Sequence, residues 1–120
     1  MLKIELQFDG EKKMYMADFI SGRMFRRALD LVDKQQKFLK KMSELEETEE
    51  IQEEQQELLD ELFLVISEVF TKQFTPQEYE AGTDARHLTN QSWAIVYGIV
   101  NQVFSPLSED GNGDKKKKSV

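Results

Sequence analysis

The 120-residue chain has no cysteine, one histidine, two prolines and six glycines. Without cysteine there are no disulfides and no thiolate chemistry, and a reducing cytoplasm is the expected compartment. The single histidine, His87, would leave a transition metal to carboxylates for its other ligands, a poor donor set for zinc. It is read as a loop histidine with no chemical role, and neither metal nor cofactor is expected. The glycines form no phosphate-cradling motif. No stretch approaches the roughly 20 uninterrupted apolar residues that cross a bilayer. The opening MLKIELQFDGEKK also lacks the apolar core of a signal peptide, so a soluble intracellular protein is expected. Basic charge is in deficit too: 16 Lys and Arg against 23 Asp and Glu, a formal charge of −7. That balance argues against general binding to nucleic acid.

What is there amounts to one domain's worth of chain with clear patterning. Leu2, Ile4, Leu6 and Phe8 alternate with polar residues, Asp9-Gly10 marks a turn, and Met14 and Met16 alternate again, so residues 2–19 are read as a β-hairpin. One-sided burial favours a three-residue loop, Asp9-Gly10-Glu11, pairing Leu6 with Met14 and Ile4 with Met16. A first helix starts near the N-cap candidate Ser21, with Met24, Ala28, Leu31, Gln35, Phe38, Met42 and Leu45 recurring at helical spacing. Phe25, Leu29, Val32 and Leu39 widen that stripe, and Arg26–Asp30, Asp30–Lys34 and Asp33–Lys37 are four-apart pairs on its wet side.

Residues 44–61 hold ten acidic residues and no basic one, while Ile51, Leu58, Leu59 and Leu62, then Phe63, Ile66, Val69 and Phe70, keep helical spacing. Acidic crowding at a helix start favours a break near 44–48 and a second helix ending by Gln73. With no Gly or Pro between them, one continuous helix is the alternative. The stretch FTPQEY carries a complete helix start: N-cap Thr75, Pro76, capping-box Glu78, and Phe74 with Tyr79 as the staple. Gly82 is expected to stop that short helix. A last helix is expected from about Thr89 to Phe104, with Trp93, Val96, Val100 and Val103 on one side, ended by Ser105-Pro106. The fold expected is thus mainly α: an amino-terminal β-hairpin and three or four helices in a single domain over residues 1–104, with 105–120 a disordered tail.

Few residues suggest chemistry. Asp110, Asn112 and Asp114 open like a calcium loop, but Lys115 replaces the required glycine and the twelfth position falls beyond Val120. The acidic run offers no environment that would separate two carboxylate pKa values, and no nucleophile–base pair stands out, so no enzyme is expected. Lys115–Lys118, with neither a lipid site nor an apolar neighbour, would bind a membrane or nucleic acid only weakly.

The arginines are the anomaly. Arg23, Arg26 and Arg27 oppose the helix dipole of the first turns, at about 0.3–1 kcal/mol per exposed site. In an antiparallel pair the acidic run lies beside Lys34, Lys37, Lys40 and Lys41, so Asp18, Glu68 or a partner must answer the arginines. Arg23, Phe25, Arg26, Arg27 and Leu29 are therefore the candidate partner-binding residues. The competing reading of the apolar stripe is that it serves the domain's own core.

A hairpin leading into DFISGRMFRRALDLVDK, an acidic middle, then FTPQEYEAGTDARHLTNQSWAIVYGIVNQVF resembles the tail assembly chaperones of long-tailed phages that infect Gram-positive bacteria. The resemblance spans roughly residues 2–104. It implies a protein of the host cytoplasm, absent from the finished virion, that coats the tape measure protein until tail tube subunits polymerise around it. It also implies a longer frameshifted form that recruits tail tube protein, and the lysine codons of Lys115–Lys118 suit a slippery heptamer. The expected partners are those two proteins, with self-association as a further contact and neither nucleic acid nor membrane. The alternatives are an acidic DNA mimic built on residues 44–61 and a structural head–tail component.

Overall fold

The computed structural model describes residues 2–44 and 49–102. Two strands, β1 (Leu2–Phe8) and β2 (Glu11–Ala17), form an antiparallel hairpin followed by four helices: α1 (Gly22–Glu44), α2 (Glu49–Val69), α3 (Pro76–Gly82) and α4 (Leu88–Val100). The expectations for Leu45, Val103, Phe104, the tail, the calcium-like spacing and the lysine run lie outside the described residues.

The hairpin register differs from the expected one. Leu6 pairs with Lys13 and Ile4 with Tyr15, because the loop has two residues, Asp9 (φ 51°) and Gly10 (φ 80°). Both backbones are left-handed, which is the twist-matched turn that Asp-Gly favours. β2 has two apolar phases, Met14/Met16 and Tyr15/Ala17, and the turn selects the second. Leu2, Ile4, Leu6, Tyr15 and Ala17 are buried together, while Met14 and Met16 stay 55% and 47% exposed. Tyr15 meets Phe74 edge-on at 5.0 Å, a contact that neither methionine could supply. Lys13, opposite Leu6, keeps its ammonium in water, 5.3 Å from the centre of the Tyr15 ring.

α1 begins as expected, the Met24 N–H reaching Ser21 Oγ at 3.4 Å and Ser21 O at 3.0 Å. α1 and α2 are separate helices packed antiparallel. Arg27 bonds Glu68 at 2.8 Å, Lys34 bonds Glu61 at 2.8 Å, and Lys41 bonds Glu54, each rung seven residues from the next on both helices. The acidic half of α2 thus answers the lysines of α1. Asp30 bonds Lys34 (3.4 Å) and Asp33 bonds Lys37 (3.0 Å), whereas Arg26 and Asp30 form no ion pair. The carboxyl half of α2 is the centre of the core. Leu62, Val65, Ile66, Val69 and Phe70 are at most 1% exposed, and each buried side chain of this size contributes about 1.5–3 kcal/mol.

The capping box of α3 is complete, with Glu78 N–H to Thr75 Oγ1 at 3.0 Å and Thr75 N–H to Glu78 Oε1 at 2.8 Å. Its staple is a stacked ring pair, Phe74 and Tyr79, at 5.8 Å. Gly82 ends the helix, but for packing rather than for a left-handed cap. A Cβ there would lie 2.9 Å from the Phe8 ring and 3.1 Å from Leu6 Cβ. Gly82→Ala should therefore cost about 1–3 kcal/mol by overpacking, read as a lower urea midpoint with an unchanged slope. α4 stops short of the expected Phe104. Asn101 N–H still bonds Tyr97 O at 2.9 Å, but Gln102 turns left-handed (φ 58°) and takes Ile99 O instead. Its buried side centres on Ser92, Ile95, Val96 and Ile99, leaving Trp93 and Val100 half-buried.

Candidate functional site

The five candidate residues all lie in the first two turns of α1, but the helix sends them to different places. At about 100° per residue, Phe25 and Leu29 share one flank and Arg23 and Arg27 the opposite one, with Arg26 on the solvent side between them. Phe25 is half-buried against the core and Leu29 is 43% exposed. Val32, half-buried, and Leu39, 53% exposed, continue their flank to the far half of the helix. Phe25, Leu29, Val32 and Leu39 therefore form an apolar stripe at i, i+4, i+7 and i+14, the spacing with which one helix meets another. Nearby, Tyr97 of α4 donates its hydroxyl to Gln35 Oε1, fixing α4 against α1.

The arginine flank is a cleft of about 420 Å³ lined by Arg23, Met24, Arg27, Glu68, Thr71 and Lys72. Antiparallel packing brings the first turns of α1 against the carboxyl end of α2, which carries the negative end of that helix's dipole. Glu68 receives both the Nε (3.1 Å) and the terminal nitrogen (2.8 Å) of Arg27. Glu68 thus answers Arg27, while Arg23 and Arg26 form no ion pair among the described residues. Beyond α2 the chain runs left-handed through Thr71 (φ 54°) and Lys72 (φ 59°), held by Lys72 N–H to Ser67 O at 2.8 Å. This turn brings Lys72 to the cleft. Arg27→Glu would set two half-buried carboxylates together at the carboxyl end of a helix. A loss of about 1 kcal/mol, discounted for solvent screening, should appear as a lower Tm, and Arg27→Met should lose less.

Two exposed apolar residues escaped the sequence reading. Phe19 is 76% exposed beside the half-buried Ile20, and Leu64 is 40% exposed among the carboxylates of α2. The signal for Phe19 was its adjacency to Ile20 in a link that can bury only one of them. Leu64 sits inside the longest apolar run, Leu62–Ile66, where periodicity gives little warning. His87 is exposed at the start of α4 and makes no side-chain cap. Beside it, hydrogen bonds from the Arg86 side chain and backbone hold the Asp84 carboxyl well below the usual carboxylate range. Among the described residues there is no cluster of potential metal ligands, and no helix is long and apolar enough to cross a membrane.

A family model described as phage tail chaperone protein matches residues 1–119. The chain belongs to this family. No curated protein and no solved structure matches it. The tail chaperone family is in general non-enzymatic and implies interaction with tail proteins. Membership gives the apolar stripe of α1 a context that composition could not, since an assembly chaperone needs surface to spare for a client.

Proposed function

We propose that this tail chaperone binds the tape measure protein and shields its apolar helical stretches in the host cytoplasm, without entering the virion. The single observation that supports the reading is the stripe of Phe25, Leu29, Val32 and Leu39, which keeps exposed leucines at helix-pairing spacing on a domain that has already closed its core. Arg26 gives that surface a basic border for acidic groups of the client, while Arg23 faces the cleft on the opposite flank. Arg27 has a structural duty to Glu68. A longer form, made by slippage at the Lys115–Lys118 codons, would bring in tail tube protein. That part predicts an open overlapping frame in the nucleotide sequence, and a frame that stops at once removes it.

The DNA-mimic alternative gains nothing from the geometry, because Glu50, Glu54 and Glu61 are engaged by Lys41 and Lys34. Co-expression tests the proposal. The tape measure protein should be insoluble alone and should co-purify, soluble, with this chain. A client that stays aggregated in the presence of folded chaperone refutes the reading.

A further inference from the structure

Three columns of side chains recur every seven residues along the outward flank of α1. The first, Phe25, Val32 and Leu39, is apolar. The second, Leu29, Gln36 and Ser43, begins apolar and turns polar. The third, Arg26, Asp33 and Lys40, is charged and exposed throughout. A strict seven-residue column drifts about 20° per repeat across a straight helix. A partner helix that follows such a column winds around α1 with a left hand.

The charged column carries an excess that the domain does not answer. Asp33 takes the Lys37 ammonium at 3.0 Å and Asp30 takes Lys34 at 3.4 Å, so the carboxylates between Arg26 and Lys40 are spent on their own helix. Arg26 and Lys40 are exposed and form no ion pair among the described residues. At 1.5 Å per residue they stand about 21 Å apart along α1, on one border of the apolar column. That exceeds the screening length of about 8 Å at physiological salt, so the two act as separate points rather than as one patch. The whole chain carries −7, and its mean field repels an acidic ligand. Only a ligand that brings carboxylates to these two points is favoured locally.

We propose that this flank takes a heptad-patterned helix bearing two carboxylates beside its apolar seam, two repeats apart, one for Arg26 and one for Lys40. The inference rests on the reading of the stripe as the client-binding surface and names the client segments that fit it. Charge at the rim of an apolar contact fixes register and salt dependence more than it adds affinity. Gln36 acts in the same direction, because a polar residue within a seam specifies register at a cost in stability. The two-repeat spacing applies to a parallel or an antiparallel ligand alike.

Three synthetic helices, read by fluorescence anisotropy against the full chain, test it. All share a leucine seam of about four heptads, long enough to hold a helix, and are used as dilute labelled tracers so that they do not pair with themselves. Their flanks are glutamine except at two positions. The first peptide carries glutamates at the Arg26–Lys40 spacing, the second lysines at the same positions, and the third glutamates at half that spacing. Wild type should bind the first about tenfold more tightly than the second, against the sign of its net charge, with the gap closing in high salt. The third meets one cation at a time and should bind about threefold less tightly than the first. Arg26→Glu/Lys40→Glu should reverse the preference between the first two. If that variant loses its helical circular dichroism, Arg26→Gln/Lys40→Gln replaces it and should abolish the preference. Equal binding of the first two peptides by wild type, or an unchanged preference in the folded variant, overturns the inference. The stripe then stands as a docking surface if Leu29→Glu/Leu39→Glu removes binding of all three. Binding that survives Leu29→Glu/Leu39→Glu, or no binding by wild type, overturns the stripe reading and the inference with it.

Discussion

Tyr79→Ala should lower Tm by about 15 °C or more, and Tyr79→Phe by only a few degrees. Tyr79 is fully buried, with its ring between Phe63 at 5.7 Å and Phe74 at 5.8 Å. Removing it empties the junction of α2, α3 and the hairpin, at a cost of about 3–5 kcal/mol, much of the stability of a domain this size. The phenol adds a polar layer. Ser92 Oγ gives its proton to Leu88 O at 2.6 Å, so Tyr79 donates to Ser92 Oγ at 2.7 Å and accepts from Gln91 Nε2 at 3.1 Å. Tyr79→Phe should lose about 1 kcal/mol through these bonds. Burial pushes the Tyr79 pKa up, against the smaller pull of the Ser92 and Gln91 hydrogen bonds. The raised value sets the sign: its contribution is complete below the ordinary tyrosine pKa of about 10 and is lost as pH rises through the folded value. Thermal melts across that range should show wild type losing Tm faster than Tyr79→Phe.

Local rules made Tyr79 and its surroundings legible. A capping box and a staple are interactions among near neighbours, so FTPQEY alone specified Thr75, Glu78 and the Phe74–Tyr79 stack. The antiparallel placement of the acidic run beside Lys34 and Lys41 was legible for the same kind of reason, since charge must be answered by charge. The hairpin register was not. Its two methionines and its Tyr15/Ala17 pair are equally good alternations, and the length of the Asp9-Gly10 turn chose between them, with Phe74, more than fifty residues away, packing against the chosen phase. The end of α4 was missed likewise, because Gln102 looks like any other helical residue until its backbone turns left-handed.

The candidate site was half legible. The unusual charge of the first α1 turns pointed to the right segment, but residue type could not say which arginine had an internal partner. That depends on the carboxyl end of α2 and on a left-handed turn at Thr71 and Lys72, two residues with no sequence signal for positive φ. Helical spacing likewise could not separate Met24, Ala28 and Leu31, which the core consumes, from Leu29 and Leu39, which it leaves exposed. The width of the apolar stripe was visible, and its division between core and surface required the position of α4.

Leu29→Glu/Leu39→Glu should abolish capture of the tape measure protein while sparing the fold. Both side chains project from α1 into solvent, so their replacement should change stability by no more than about 0.5 kcal/mol each, and far-ultraviolet circular dichroism should be unaltered. Binding is another matter. A client helix that seats its own apolar residues on this stripe must desolvate whatever stands there, and an unpaired carboxylate resists desolvation strongly. Two of them on the stripe should lower recovery of soluble client at least tenfold on co-expression. Leu64→Glu, an equally exposed leucine on α2, is the matched control and should leave recovery unchanged. Equal loss in both variants would mean that total surface hydrophobicity matters rather than this face. Full recovery with Leu29→Glu/Leu39→Glu would move the client off α1 altogether, for example to the hairpin, where Met14 and Met16 are exposed.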